Sequence, residues 1–138
     1  MMLAVPYVKN LARSEGFRSR VLVVDDEPLI RWALSVGLTA AGFDAVAAAN
    51  DREARAAAAQ WPPPDVVLLD LHRDDCSVLL TDLQRLAPRC HVLVLGTCCD
   101  GRPGQWQGRE VIAKPFDLAY VVERVRAVMA EPAAVLPE

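Results

Sequence analysis

Asp65-Val66-Val67-Leu68-Leu69-Asp70 is an apolar run closed by a single carboxylate. Consecutive aliphatic residues with no polar alternation suit a strand buried on both faces, as in a parallel sheet. Two other stretches repeat the pattern. Val21-Leu22-Val23-Val24 ends on Asp25-Asp26, and Val111-Ile112-Ala113 ends on Lys114. In a parallel sheet the carboxyl ends of the strands share one edge, and open α/β sheets bind ligands there. Three carboxylates and one amine would therefore converge. Such a cluster suits a divalent cation beside a carboxylate that can carry a phosphoryl group.

The segments between these runs read as helices. Glu27-Pro28 opens the first, with Pro where no backbone donor is lost, and Ile30, Ala33, Leu34, Gly37, Leu38 and Ala41 form its apolar stripe. Gly42 ends it as a left-handed cap. Asp44–Ala48 is a short second strand, and Asn50 or Asp51 caps an Ala-rich helix running to Gln60. Trp61-Pro62-Pro63-Pro64 stops that helix. After a polar loop at His72–Cys76, a third helix runs from Ser77 to Leu86 with Val78, Leu79, Leu83 and Leu86 inward. His91–Leu95 is the fourth strand. Gly96–Arg109, with Gly96, Gly101, Pro103, Gly104 and Gly108, supports at most a helical stub. Glu110–Ala113 is the fifth strand, and Asp117 caps a last helix with Leu118, Val121, Val122, Val125, Val128 and Met129 inward. The whole is a (βα)5 doubly wound α/β fold, a parallel five-stranded sheet in the order 2-1-3-4-5 with an irregular or shortened fourth helix.

The chain has 138 residues, 53% of them hydrophobic, which suits one domain with one core. We expect a flexible extension over 1–19, the domain over 20–130 and a short tail over 131–138. A formal net charge of −3 gives no pointer to nucleic acid, which usually meets a basic face. No apolar stretch reaches the length of a membrane helix, and the first residues do not form a secretory core. These features point to a cytoplasmic protein without direct contact to nucleic acid or membrane. Cys76, Cys90, Cys98 and Cys99 include no paired C-x2-C, so free thiols are the expected state rather than a zinc site with His72 and His91.

Val21-Leu22-Val23-Val24-Asp25-Asp26-Glu27-Pro28, Val66-Val67-Leu68-Leu69-Asp70-Leu71 and Lys114-Pro115-Phe116, in this order, resemble the receiver domain of bacterial two-component response regulators. The resemblance covers residues 20 to about 130. It implies that Asp70 accepts a phosphoryl group from a histidine kinase or phosphotransfer protein. It implies that Mg2+ is bound by Asp25, Asp26, Asp70 and the backbone carbonyl of His72. Lys114 would pair with the phosphoryl oxygens, and the Lys114-Pro115 bond would be cis. The implied protein is a stand-alone phosphoprotein of a phosphorelay, not an enzyme, and a monomer or weak homodimer.

The chain departs from the family at four points. Gly96 stands where receivers carry Thr or Ser at the end of the fourth strand, with Thr97 adjacent. Val111 stands at the aromatic switch position. Arg73-Asp74-Asp75-Cys76 replaces the usual Pro and Gly after the acceptor. The stretch from Gly96 to Lys114 is short for a full fourth helix. The alternative reading is a degenerate receiver that binds protein independently of phosphate. A haloacid-dehalogenase-type phosphatase would need Asp-x-Asp where this chain has Asp70-Leu71-His72. A flavodoxin-like carrier would need a Ser/Thr/Gly phosphate loop in place of Asp25-Asp26-Glu27-Pro28.

Overall fold

The computed structural model describes residues 19–71, 76–96 and 105–130. Its elements are β1 (Arg20–Val24), α1 (Pro28–Ala40), β2 (Asp44–Ala48), α2 (Asp51–Ala58), β3 (Val66–Asp70), α3 (Cys76–Leu86), β4 (His91–Gly96), β5 (Gln105–Trp106), β6 (Arg109–Ala113) and α4 (Leu118–Met129). The sheet order is β2-β1-β3-β4-β6-β5. The pairs β1–β2, β1–β3, β3–β4 and β4–β6 are parallel, with Val24 level with Leu69, Asp70 with Leu95, and Gly96 with Ala113. The exits of β1, β3, β4 and β6 therefore lie side by side.

Two cores, one on each face, hold the sheet. Val21, Val23, Val66, Leu68, Leu93, Leu95 and Ile112 pack against Leu34 and Leu38 of α1 and Val121, Val125 and Val128 of α4. Leu22, Val24, Val67 and Leu69 pack against Ala54 and Ala58 of α2 and Cys76, Leu79, Leu80 and Leu83 of α3. All of β3 is buried, as an unbroken apolar strand between helix layers requires. The helix starts follow the sequence signals. Pro28 opens α1, Asn50 accepts a hydrogen bond from the Glu53 amide, and Asp117 accepts one from the Ala119 amide. Gly42 follows α1 with φ +100°, and the Phe43 amide donates back to the Leu38 carbonyl to close the cap.

Three expectations need correction. First, a sixth strand joins the five: Gln105–Trp106 runs antiparallel to β6, pairing Trp106 with Arg109. The turn between them, Gln107-Gly108, has φ of +50° and +76°, the double left-handed geometry of the two-residue hairpins that match strand twist. Of the Gly96–Arg109 stretch expected to hold at most a helical stub, residues 97–104 lie outside the described residues, and 105–110 form a hairpin. Trp106 packs against the same core as Leu71, Cys90 and Val92 do, on the α3 side of the sheet. Second, Val78 and Leu86 face outward, because α3 turns Cys76, Leu79, Leu80 and Leu83 to the sheet. Third, α2 ends at Ala58, short of Gln60. Among the described residues, no helix is long and apolar enough to cross a membrane.

Candidate functional site

Asp25 leaves β1 with its amide still paired to the Ala48 carbonyl of β2 at 3.2 Å. The chain then turns sharply into α1, and the Glu27 amide donates to Asp25 Oδ1 at 2.9 Å. Arg31, one turn into α1, donates to the Asp25 carbonyl at 2.9 Å. The Asp25 carboxylate is thus fixed by the backbone on one side. Asp70 closes β3, and the following Leu71 amide continues the ladder to the Leu95 carbonyl at 2.8 Å. Both carboxylates are fully buried, the two buried charged residues among those described.

Lys114 joins them. Its backbone amide donates to the Gly96 carbonyl at 3.2 Å, and the Lys114-Pro115 bond is cis, as the resemblance implied. Its Nζ donates to Asp70 Oδ1 at 2.9 Å, to Asp25 Oδ2 at 3.1 Å and to Glu27 Oε1 at 3.5 Å. A lysine just past a strand is ordinarily a solvated surface amine. In the fold its side chain is only 13% exposed. Burial lowers its pKa, but the hydrogen bonds and negative charges of Asp70 and Asp25 outweigh that and raise it above the ordinary amine value.

Asp25, Asp26 and Asp70 each offer a carboxylate oxygen, and these oxygens lie within 4.8 Å of one another. Asp26 faces solvent while the other two are buried. An all-oxygen, carboxylate-rich donor set open on one side fits hard Mg2+, which keeps part of its water shell. The carbonyl of His72, the remaining expected ligand, lies outside the described residues, as do Thr97, Cys98 and Cys99. Neither Cys76 nor Cys90 is in a disulfide. Cys90 sits at the far end of β4, and burial pushes its pKa up to about 11, which keeps the thiol protonated and unreactive.

Two neighbours of the site escaped the sequence reading. Cys76, the first residue of α3, directs its Sγ to the Asp70 carbonyl at 3.4 Å. Glu27 was read only as a helix start, yet its carboxylate reaches Lys114. Its place next to Asp26 was the available signal.

At Gly96, a Cβ would meet the Leu71 Cβ at 2.8 Å. No hydroxyl can be presented from this position while Leu71 stays where it is.

No family model matches the chain. Among curated proteins, it is similar to the probable transcriptional regulatory protein TcrX of Mycobacterium tuberculosis, 35% identical over an alignment of 126 residues that covers 86% of this chain and 53% of that protein. It is 33% identical to the DNA-binding dual master transcriptional regulator RpaA of Synechocystis over 80% of this chain and 48% of that protein. The chain thus spans about half the length of these relatives. Among solved structures, a response regulator from Thermotoga maritima superposes with a TM-score of 0.69 at 26% identity, covering 83% of this chain and 99% of that one. The chemotaxis protein CheY4 of Vibrio cholerae superposes with a TM-score of 0.70 at 24% identity, over 80% of this chain and 98% of that one.

Proposed function

We propose that this chain, which belongs to the response-regulator receiver domains, takes a phosphoryl group onto Asp70 from a histidine kinase or histidine phosphotransfer protein. The observation that carries the proposal is the bridge of Lys114 between Asp70 and Asp25, at 2.9 and 3.1 Å, with Asp26 beside them.

In the proposed reaction a carboxylate oxygen of Asp70 attacks the donor phosphorus. The new P–O bond forms as the P–N bond to a phosphohistidine, or the P–O bond to acetate in acetyl phosphate, breaks. The leaving group departs with its bonding pair, and a departing imidazole takes up a proton. Lys114 supplies N–H donors and positive charge to the phosphoryl oxygens. Asp25 and Asp26 are the residues to hold Mg2+, with Asp70 as a shared ligand. The bound ion would supply further positive charge against the phosphoryl oxygens. Because Asp70 is itself modified, the chain is a regulator that stores a phosphoryl group, not a turnover enzyme. The proposal covers the receiver unit over residues 20–130 and a cytoplasmic place of action. Direct nucleic-acid contact is no part of it.

A second reading draws on the Gly96–Leu71 approach. The acceptor chemistry is intact, but position 96 cannot offer a side-chain hydroxyl to the phosphoryl group. Phosphorylation then biases the 96–116 surface weakly, and a partner binds with little regard to phosphate.

The test is incubation with acetyl phosphate and Mg2+, read by intact mass. The proposal expects one added phosphoryl group on the native chain and none on Asp70→Asn. Equal labelling of the two proteins would defeat it.

A further inference from the structure

We propose that Glu27 is a placeholder on Lys114: its carboxylate occupies the third N–H of the ammonium until a phosphoryl oxygen displaces it. This rests on the reading of Asp70 as the phosphoryl acceptor. A lysine ammonium has three N–H donors and no acceptor. Lys114 Nζ has three carboxylate partners, Asp70 at 2.9 Å, Asp25 at 3.1 Å and Glu27 at 3.5 Å. Its donors are therefore committed before any phosphoryl group arrives. For Lys114 to bond a phosphoryl oxygen, one carboxylate must let go.

The three partners are not equal. Asp25 and Asp70 are fully buried, and a carboxylate released there reaches no bulk water and can turn only to a bound cation. Glu27 makes the longest of the three contacts, and its side chain is 52% exposed. Its release into solvent costs little. The backbone is already arranged for this exchange. The Glu27 amide is tied to Asp25 Oδ1 at 2.9 Å, so only the side chain has to swing away. Glu27 also makes no side-chain cap on α1, so replacing it removes no helix cap. Glu27 acts through Lys114 and is a positioning residue.

The test compares the native chain with Glu27→Ala and Glu27→Asp. The aspartate keeps the charge but is one methylene shorter and falls out of reach of Lys114. Labelling rates are read by intact mass at subsaturating acetyl phosphate in Mg2+, and melting temperatures verify the fold. Affinity for beryllofluoride, a phosphoryl mimic that binds without group transfer, is read from amide spectra. The proposal expects both variants to label about two- to fivefold faster and to hold beryllofluoride tighter by the same factor, the size of a partly exposed ion pair. Native rates in both variants would overturn it. Acceleration in Glu27→Ala alone would also overturn it, because charge and not contact would then be the cause. No labelling of any of the three proteins would overturn the phosphoryl-acceptor reading itself, and this proposal with it.

Discussion

Gly96 and Leu71 stand so close at the exits of adjacent strands that a Cβ on Gly96 would lie 2.8 Å from the Leu71 Cβ. Both atoms are anchored directly to backbone, so rotating a side chain cannot relieve the contact. Gly96→Ala should therefore cost about 1–3 kcal/mol, the usual penalty for overpacking. Leu71→Gly made together with Gly96→Ala should recover part of that loss. The check is a double-mutant cycle by urea denaturation, in which the two changes should be clearly non-additive. Additive effects would mean the strand exits have slack that the structure does not show.

Lys114 neutralises two fully buried carboxylates, so its removal should be felt by the fold as well as by the chemistry. In Mg2+-free buffer, Lys114→Met should lower stability by about 1.5–3 kcal/mol, the range for charged hydrogen bonds left unmade. Added Mg2+ should return more stability to the variant than to the native chain, since the ion takes over the neutralising charge. Urea midpoints with and without Mg2+ measure both effects.

The same contact sets an alkaline limit. The folded-state pKa of Lys114 lies above its ordinary value of 10.5. The stability it contributes is therefore fully present below about pH 10.5 and is lost as pH rises through the raised value. The stability difference between the native chain and Lys114→Met should stay level up to that pH and shrink above it. A difference that already narrows between pH 8 and 10 would contradict the raised pKa.

Trp106 packs against the α3-side core from a two-residue strand. Trp106→Ala should cost about 2 kcal/mol through lost apolar burial. Gln107→Ala, which removes an exposed 2.9 Å bond to the Ser77 hydroxyl, should cost less than about 0.5 kcal/mol. Urea unfolding of the two variants separates packing from the surface bond.

Much of this arrangement was legible because the strands that carry the site are buried on both faces. Val21–Val24 and Val66–Leu69 must be apolar throughout, so the first polar residue after each marks the exit edge. Pro28, Asn50 and Asp117 announced their helices through local backbone chemistry that tertiary packing did not override. The hairpin at Gln105–Arg109 could not be read, because a two-residue strand has no periodicity and its turn lies in a Gly/Pro-rich stretch. The outward Val78 and Leu86 show the other limit. Helix α3 carries apolar residues on more than one side, and only the sheet decides which side is buried. The reach of Glu27 to Lys114 spans 87 positions of sequence and follows from the fold alone.

The central claim is that Asp70, and neither Asp25 nor Asp26, carries the phosphoryl group. Borohydride reduces an aspartyl phosphate to homoserine, which peptide mass mapping locates to a single residue. After acetyl phosphate and Mg2+, the account predicts homoserine at position 70 alone, and none when Mg2+ is omitted. Homoserine at position 25 or 26, or at no position in a protein that has gained phosphate, would contradict it.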